Sequence, residues 1–232
     1  MIKVENITKK YVGETVLNIS KLQIHRGESF GLVGNNGAGK TTFFRLVLDL
    51  IRANSGQILS DGKPVAGSEH WKSYTGSFLD ESFLIDFLTA EEYFQFIGSI
   101  NGLSKGDIDL FMQQFEHFFD GEIIGKRKYI RDYSKGNQKK IGITAAIMTN
   151  PKILVLDEPF SNLDPSTQIR LKKLLRSLQQ DQDVTMLISS HDLNHVTEVC
   201  DRIVVLEKGN ILHDIQTSES TLKDLEDIFA VE

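Results

Sequence analysis

The segment from Gly34 to Thr42 has the residue types and the spacing of a loop that binds the phosphates of a nucleotide. Its members are Gly34, Asn35, Asn36, Gly37, Ala38, Gly39, Lys40, Thr41 and Thr42. Glycines let backbone N–H groups surround a phosphate chain, Lys40 can reach the β- and γ-phosphates, and the Thr41 hydroxyl can ligate Mg²⁺. The pattern predicts nucleotide binding; the alternative is a glycine-rich turn that binds nothing.

Two carboxylates, Asp157 and Glu158, directly follow the apolar run from Ile153 to Leu156. Such a run suits a buried strand of a parallel sheet, and ligands of these sheets lie at the carboxyl ends of the strands. Asp157 is the candidate Mg²⁺ ligand, directly or through water, because Mg²⁺ takes oxygen ligands. Glu158 can orient or deprotonate an attacking water. The alternative is a solvated pair of acids at the edge of a sheet.

His191 follows a second apolar run, from Met186 to Ser190, and is expected at the same sheet edge. A neutral imidazole there could hydrogen-bond a γ-phosphate and a water, whereas the alternative is a loop histidine without a partner. The other histidines share no metal-ligand spacing and are expected to be surface or packing residues: His25, His70, His117, His195 and His213.

A second stretch suited to an anion precedes the predicted helix from Gln138 to Met148. It consists of Tyr133, Ser134, Lys135, Gly136 and Asn137. The region from Lys126 to Lys140 holds seven Lys or Arg residues against one acid, a run that is usually a solvated face. Because the first loop already supplies a phosphate cradle for its own site, the second favours a nucleotide bound to another copy of the chain.

These residues need a frame of parallel strands and helices to position them. We predict a strand over Glu28 to Val33 before the phosphate loop and a helix over Thr41 to Ile51 after it. A further helix is predicted from Pro165 to about Gln180, with Asp164 as its N-cap. Val184 to Ser189 is predicted as another buried parallel strand.

The remaining segments indicate one antiparallel and one helical region. Residues 2–33 alternate apolar and polar residues, and glycines punctuate short strands between 54 and 79. Residues 89–149 have helical spacing, and Ser104 and Asp107 could cap a helix there. Its apolar face is predicted to consist of Ile108, Phe111, Phe115 and Phe119. We interpret that face as core packing.

Composition fits a single α/β domain with an inserted subdomain, since 232 residues can bury a sizeable core. The net charge of −6 weighs against sequence-independent nucleic-acid binding, which needs a basic face. No segment approaches about 18 uninterrupted apolar residues, and the first six residues do not look like a secretory signal, so a cytosolic location is expected. The single cysteine, Cys200, is expected to pack in apolar surroundings.

With these motifs in this order, the chain resembles the nucleotide-binding domain of ATP-binding cassette (ABC) transporters over nearly its whole length. Gly34 to Thr42 matches the Walker A motif, and Ile153 to Glu158 matches Walker B with its catalytic glutamate. Tyr133 to Asn137 stands where that family has its signature motif. His191 is similar to the family's switch histidine, and Tyr11 to the aromatic residue that stacks on adenine. The segment similar to the D-loop is Ser161, Asn162, Leu163 and Asp164.

The resemblance implies a fold class, a set of ligands and partners. The expected fold is α/β: a P-loop NTPase core with a parallel sheet flanked by helices, an N-terminal antiparallel β subdomain and an inserted α-helical subdomain. Residues 1–85 and 150–232 would form the core of one ATPase domain, and about 86–149 the helical subdomain. It further implies ATP and Mg²⁺, and a head-to-tail dimer, either of two copies or with a paired ATPase subunit. A separate transmembrane permease would hold the chain at the cytoplasmic face of a membrane, and no nucleic acid is expected.

The sequence departs from the family pattern at three positions. Lys135 replaces the first signature glycine and Asn137 the glutamine, whereas Ser134 and Gly136, the γ-phosphate contacts, are kept. Asp80 aligns with the glutamine of the Q-loop, which implies a possible contact with Mg²⁺ through water.

Glu81 is the next candidate for that contact, because the alignment at Asp80 could slip by one residue. The ending from Leu225 to Phe229 is similar to ATPases of antibiotic and multidrug exporters, which favours export.

Two other classes of protein stay open at this point. A P-loop kinase would share Lys40 and Asp157, but it needs an acceptor site and does not account for Glu158 or for Tyr133 to Asn137. A cassette ATPase that acts on nucleic acid or ribosomes usually carries two cassettes or long coiled coils, and the sequence contains neither. Release of free phosphate from ATP alone separates the kinase from the transporter ATPase.

Overall fold

The computed structural model describes residues 2–230. The strands are β1 (Ile2–Tyr11), β2 (Glu14–Ile24), β3 (Ser29–Val33), β4 (Ser55–Ser60), β5 (Lys63–Pro64), β6 (Thr75–Phe78), β7 (Ile153–Leu156), β8 (Thr185–Ser190), β9 (Arg202–Glu207) and β10 (Asn210–Gln216). The α-helices are α1 (Lys40–Val47), α2 (Ala90–Ile100), α3 (Lys105–Gln114), α4 (Glu116–Phe119), α5 (Lys135–Met148), α6 (Pro165–Gln182), α7 (Leu193–Val199) and α8 (Thr221–Ala230).

These strands form two sheets. An antiparallel sheet has the order β2-β1-β4-β5, and a second sheet has the order β10-β9-β3-β8-β7-β6. Within the second sheet β10 runs antiparallel to β9, and the other neighbours are parallel. The α/β class with an antiparallel N-terminal sheet, a parallel-rich sheet and flanking helices confirms the fold predicted from the sequence.

Four neighbouring parallel strands end at one edge of the second sheet. Val33 of β3 pairs with Ser190 of β8, and Leu156 of β7 pairs with Ile188 of β8 and with Phe78 of β6. Because these strands are parallel and in this register, the segments that follow β3, β6, β7 and β8 meet at their carboxyl ends.

Helix α1 begins in the phosphate loop, and its apolar side chains are buried against both sheets. Phe43 and Phe44 are fully buried in one core with Leu17 of β2 and Phe30 of β3. The helix ends at Val47, four residues before the end predicted from the sequence, and the chain then turns through Asp49 at a φ of 50°. The short helix is thus held by burial of its apolar side chains.

Helices α2 to α5 lie between β6 and β7 in the chain. Both α2 and α3 begin with a capping box, formed by Thr89 with Glu92 and by Ser104 with Asp107, and the second confirms the cap predicted from the sequence. The prediction of one helix through Phe115 and Phe119 was wrong. The turn tightens at Phe115, whose N–H donates to Met112 O, so that α3 ends and α4 begins there.

Other helix boundaries follow from their caps. Helix α5 begins at Lys135, three residues before the predicted start, because the Ser134 side chain accepts from the Asn137 N–H. Helix α6 begins at Pro165 with Asp164 as its N-cap, which confirms that prediction. None of the helices within residues 2–230 is both long and apolar enough to cross a membrane.

Candidate nucleotide-binding site

The phosphate loop joins β3 to α1 and is closed around the Lys40 side chain. Gly39 has a φ of 109°, and a Cβ there would lie 2.9 Å from Val16 O of β2, so glycine is required. Lys40 is buried, and its Nζ donates to Gly34 O at 2.6 Å and to Asn35 O at 3.4 Å. The ammonium is therefore held above the backbone of the loop, where a phosphate chain would be bound.

Asp157 follows β7 and faces the start of α1. Its Oδ2 accepts from Thr41 Oγ1 at 2.5 Å, and its Oδ1 accepts from the Ser189 hydroxyl. Burial raises the pKa of Asp157, against the lowering effect of these two hydrogen bonds. A carboxylate and a hydroxyl oxygen side by side are the kind of ligands that Mg²⁺ takes, so these two residues fit the ion implied by the family.

Glu158 extends its carboxylate between Lys40 and His191. Oε1 lies 3.6 Å from Lys40 Nζ, and Oε2 lies 2.8 Å from His191 Nδ1. The residue has a φ of 47°, in the left-handed region that L-residues rarely adopt, and its N–H donates to Ser189 Oγ at 2.9 Å. The structure thus brings the phosphate-loop lysine, the second carboxylate and the histidine together, as expected from the sequence.

Two residues of this site were missed by the sequence analysis. Ser189 contacts both Asp157 and Glu158, and a buried hydroxyl residue directly after the apolar run from Met186 to Ile188 is a signal that could have pointed to it. Lys139 of α5 donates from Nζ to Glu158 O and to Ser161 Oγ, each at 2.6 Å. No sequence signal marks Lys139, because it belongs to the basic run from Lys126 to Lys140 that is usually a solvated face.

The segment from Tyr133 to Asn137 lies on the side of Glu81 and the D-loop. Gly136 approaches the D-loop closely, since a Cβ there would lie 2.6 Å from Asn162 O. Lys135 is exposed, and its Nζ lies 3.8 Å from Glu81 Oε2. The exposed Ser134 hydroxyl caps α5 by accepting from the Asn137 N–H, and this end of the helix lies at the surface where the sequence predicts an anion site.

Of the two adjacent acids after β6, Asp80 and Glu81, it is Glu81 that is directed at the lysines of α5. The Asp80 carboxylate accepts from Ser82 N at 2.8 Å and from the Ser82 hydroxyl, and so caps a short turn. Glu81 pairs with Lys135, and its charge is one of those that act on Lys139. The role of Asp80 toward Mg²⁺ stays a prediction.

Tyr11 ends β1 and is 44% exposed. Lys9 Nζ lies 4.8 Å from the centre of its ring. The neighbouring strand β2 packs on the phosphate loop at Gly39. The ring is therefore accessible on the side of the molecule that carries the loop.

The other five histidines either pack against aromatic side chains or are exposed, and the D-loop aspartate caps α6. His195 packs on Phe160 with ring centres 4.7 Å apart, and His70 packs on Tyr74, whereas His25, His117 and His213 are exposed, as predicted. Hydrogen bonds from Ser166 and Thr167 hold the pKa of Asp164 well below its usual range.

Comparison with known proteins identifies the family. The family model described as ABC transporter matches residues 17–161, which is more than half of the chain. The chain therefore belongs to the ABC transporter family. It is an ATPase cassette of that family.

Several curated ATP-binding proteins are similar in sequence. The uncharacterized ABC transporter ATP-binding protein sll0415 of Synechocystis sp. is 35% identical, over 82% of this chain and 54% of its own length. The bacitracin transport ATP-binding protein BcrA of Enterococcus faecalis is 33% identical, over 94% of this chain and 70% of its own. The methionine import ATP-binding protein MetN of Carboxydothermus hydrogenoformans is 31% identical, over 92% of this chain and 66% of its own. The chain thus spans about half the length of the first of these relatives.

Solved structures of ATP-binding cassettes share the fold. The dimeric post-hydrolysis state of the cassette MJ0796 bound to ADP and Pi matches with a TM-score of 0.83 at 22% identity, over 94% of this chain and 99% of that chain. A structure described as an ATP binding subunit of an ABC transporter matches with a TM-score of 0.84 at 25% identity, over 99% of this chain and 93% of that chain.

Proposed function

We propose that this chain binds Mg-ATP at the interface of a head-to-tail dimer, hydrolyses it, and couples hydrolysis to transport by a separate membrane subunit. The observation that carries the proposal is the position of the Glu158 carboxylate, between Lys40 of the phosphate loop and His191. A group that can accept a proton is held beside the cation that would face the γ-phosphate.

ATP binding would change the partners of Lys40. Its ammonium donates to two neutral carbonyl oxygens of the loop and pairs with Glu158, and on binding it would donate to anionic phosphate oxygens, so that donor and acceptor are both charged. The exposed ring of Tyr11 would stack on the adenine. Thr41 and Asp157 would hold Mg²⁺, which neutralises charge on the phosphate oxygens when bound.

Glu158 would act as the general base. Its carboxylate would take the proton of the attacking water, a role that contributes about 10² to 10⁴ in rate. With Glu158 ionised, its hydrogen bond to His191 places a proton on Nδ1 and leaves Nε2 of a neutral imidazole as an acceptor. His191 would thus keep the carboxylate oriented while Nε2 accepts from a water.

The second subunit would complete the site. The N-terminus of α5, with Ser134 and Gly136, would face the γ-phosphate of ATP bound to the partner subunit. This assembly is supported by the fold shared with MJ0796, a cassette whose dimeric structure is bound to ADP and Pi.

A groove beside Glu81 is the proposed docking surface for the membrane subunit. Its cavity of about 280 Å³ has a mixed lining, in which Phe78, Phe83, Leu84, Tyr93 and Ile97 stand beside polar residues such as Lys72, Ser77 and Asn101. Phe83 is 49% exposed and the nearby Phe87 61% exposed, so apolar surface is available to a partner. We place the chain at the cytoplasmic face of the membrane, held there by this contact.

Export is the proposed direction of transport, supported by the similarity of Leu225 to Phe229 to exporter ATPases. Relatives of this chain include an import protein, MetN, so the transported substrate and the direction depend on the membrane subunit. Isolation of the complex from membranes, followed by identification of that subunit, tests both.

Incubation with ATP and Mg²⁺ alone tests the catalytic proposal. We expect free phosphate without any acceptor, and loss of most of that phosphate in the Glu158→Gln variant. Phosphate transfer only in the presence of an acceptor would favour a P-loop kinase instead.

A further inference from the structure

Lys139 is a buried lysine that the proposed reaction does not use. It is 4% exposed, and its Nζ donates to the backbone carbonyl of Glu158 and to the hydroxyl of Ser161. The Ser161 hydroxyl in turn donates to the same Glu158 carbonyl at 3.0 Å. One ammonium group therefore connects α5, the carbonyl of the proposed general base and the first residue of the D-loop.

Burial of the Lys139 ammonium costs desolvation free energy, and the nearby carboxylates compensate for only part of that cost. Burial lowers the pKa of Lys139, while the charges of Glu81, Glu158 and Asp157 act in the opposite direction. A buried charge is retained at low cost only when it is paired and hydrogen-bonded, so an apolar side chain would serve better for packing alone.

Lys139 holds Glu158, a residue whose backbone is constrained in three ways. Glu158 has a φ of 47°, and its two backbone polar groups are both fixed by distant elements. The N–H donates to Ser189 of β8, and the carbonyl accepts from Lys139 of α5. These two contacts set the direction in which the side chain leaves the backbone.

We propose that Lys139 is a positioning residue that ties the helix of the signature segment to the loop that carries Glu158. The proposal rests on the proposed function. In a head-to-tail dimer the N-terminus of α5 faces the ATP of the partner, whereas Glu158 acts on the ATP of its own subunit. A shift of α5 on ATP binding at one site is thereby transmitted through Lys139 to the carboxylate at the other site.

A second contact between α5 and the D-loop supports this coupling of the helix to Glu158. Gly136, one turn before Lys139 on α5, lies against Asn162 O of the D-loop so closely that a side chain would clash. Two successive turns of α5 therefore contact the segment from Glu158 to Asn162. That segment follows the movement of the helix because it is held at both points.

Lys140 offers a matched control on the same helix. It is also buried, but its Nζ pairs with Glu122 at 3.0 Å, and its charge acts on Asp164 at the end of the D-loop rather than on Glu158 or Ser161. Lys139→Met and Lys140→Met remove the same charge from adjacent buried positions and keep a similar side-chain length. Only the first removes a contact with Glu158.

The experiment measures steady-state ATP hydrolysis, equilibrium binding of a fluorescent ATP analogue and thermal unfolding for both variants. For Lys139→Met we expect kcat to fall at least tenfold, with KM and nucleotide affinity within about twofold of the wild type. We also expect the Hill coefficient for ATP to fall from above 1 to 1. Lys139→Arg, which retains charge and donors, should recover part of kcat and answers the question if Lys139→Met does not fold.

The opposite results would overturn the proposal. Equal losses of kcat in Lys139→Met and Lys140→Met, or no recovery in a folded Lys139→Arg, would show a structural role only. Full activity of Lys139→Met beside an inactive Glu158→Gln would reject the positioning role and leave the proposed function intact. Full activity of Glu158→Gln would reject the proposed function itself.

Discussion

The Nζ atom of Lys40 lies 3.6 Å from Oε1 of Glu158, so the cation of the phosphate loop and the proposed general base form an ion pair. At an effective dielectric constant of about 20, such a pair interacts by a few kcal/mol. ATP binding must exchange this pair for contacts between Lys40 and phosphate oxygens, and it brings anionic phosphates toward the carboxylate. We therefore expect the proposed general base to oppose ATP binding.

Replacement of Glu158 by Gln should retain or raise ATP affinity and lower hydrolysis by about 10² or more, because the general base is lost together with its charge. The variant should accumulate as an ATP-bound dimer in sedimentation with Mg-ATP. Glu198→Gln, which removes an exposed acid paired with Lys172, is the control and should change neither quantity. A persistent monomer or near-wild-type turnover would contradict the role of Glu158.

Tyr11→Ala should weaken ATP binding by about tenfold or more, since stacking of an aromatic ring on a base contributes roughly 1 to 3 kcal/mol. Tyr11→Phe should bind normally, and GTP should compete with ATP within about an order of magnitude, because stacking tolerates any base. Competition titrations measure both. Normal binding by Tyr11→Ala, with a destabilised Tyr11→Phe, would mean that the hydroxyl matters for packing instead.

Asp80→Gln should retain or raise basal ATPase activity, because it removes a negative charge near the proposed γ-phosphate position. Because Asp80 and Lys135 carry opposite charges, we also expect Lys135→Gly to lower ATPase activity more in the wild-type background than in the Asp80→Gln background. The pair of Lys135 with Glu81 adds a sharper comparison. In double-mutant cycles on the ATPase rate, we expect a larger coupling energy between Glu81→Gln and Lys135→Gly than between Asp80→Gln and Lys135→Gly.

Steady-state ATPase rates of the single and double variants give both couplings. Additive effects in the two cycles would show that neither acid interacts with Lys135 during turnover. A larger coupling of Lys135 to Asp80 than to Glu81 would show that Asp80 is the residue that makes the Q-loop contact.

Cys200 should be unreactive toward thiol reagents in the native protein at neutral pH, since burial raises its pKa to about 12. Labelling with a chromogenic disulfide before and after unfolding in denaturant checks this. Unfolded protein should react with one equivalent of reagent. Rapid labelling of native protein would show that the loop between α7 and β9 opens readily.

The frame of the site could be predicted from the sequence because apolar runs mark buried parallel strands. Residues that directly follow such strands must meet at one sheet edge, and this placed Asp157, Glu158 and His191 beside the phosphate loop. Contacts between distant segments could not be predicted in this way. The residue pattern around Lys139 does not indicate that its ammonium contacts Glu158, which is 19 residues away in the chain.

Two other features, the orientation of Asp80 and Glu81 and the helix break at Phe115, depend on local turns. Which of Asp80 and Glu81 faces the site depends on the turn after β6, and that turn is set by the capping of Ser82 by Asp80. The break at Phe115 likewise depends on one tightened turn, which apolar spacing cannot reveal because the face stays apolar on both sides.

Strand β8 lies between β3 and β7, so the phosphate loop and the two acids are separated by two strand spacings, each about 4.8 Å. The backbone ladders on both sides of β8 make this separation rigid. The backbone of the phosphate loop and the backbone that carries Asp157 and Glu158 therefore keep a fixed distance within one chain, and only their side chains meet. A change in the geometry around the γ-phosphate has to come from outside this sheet, either from α5 or from a second subunit. The sheet is the fixed reference frame relative to which those parts move.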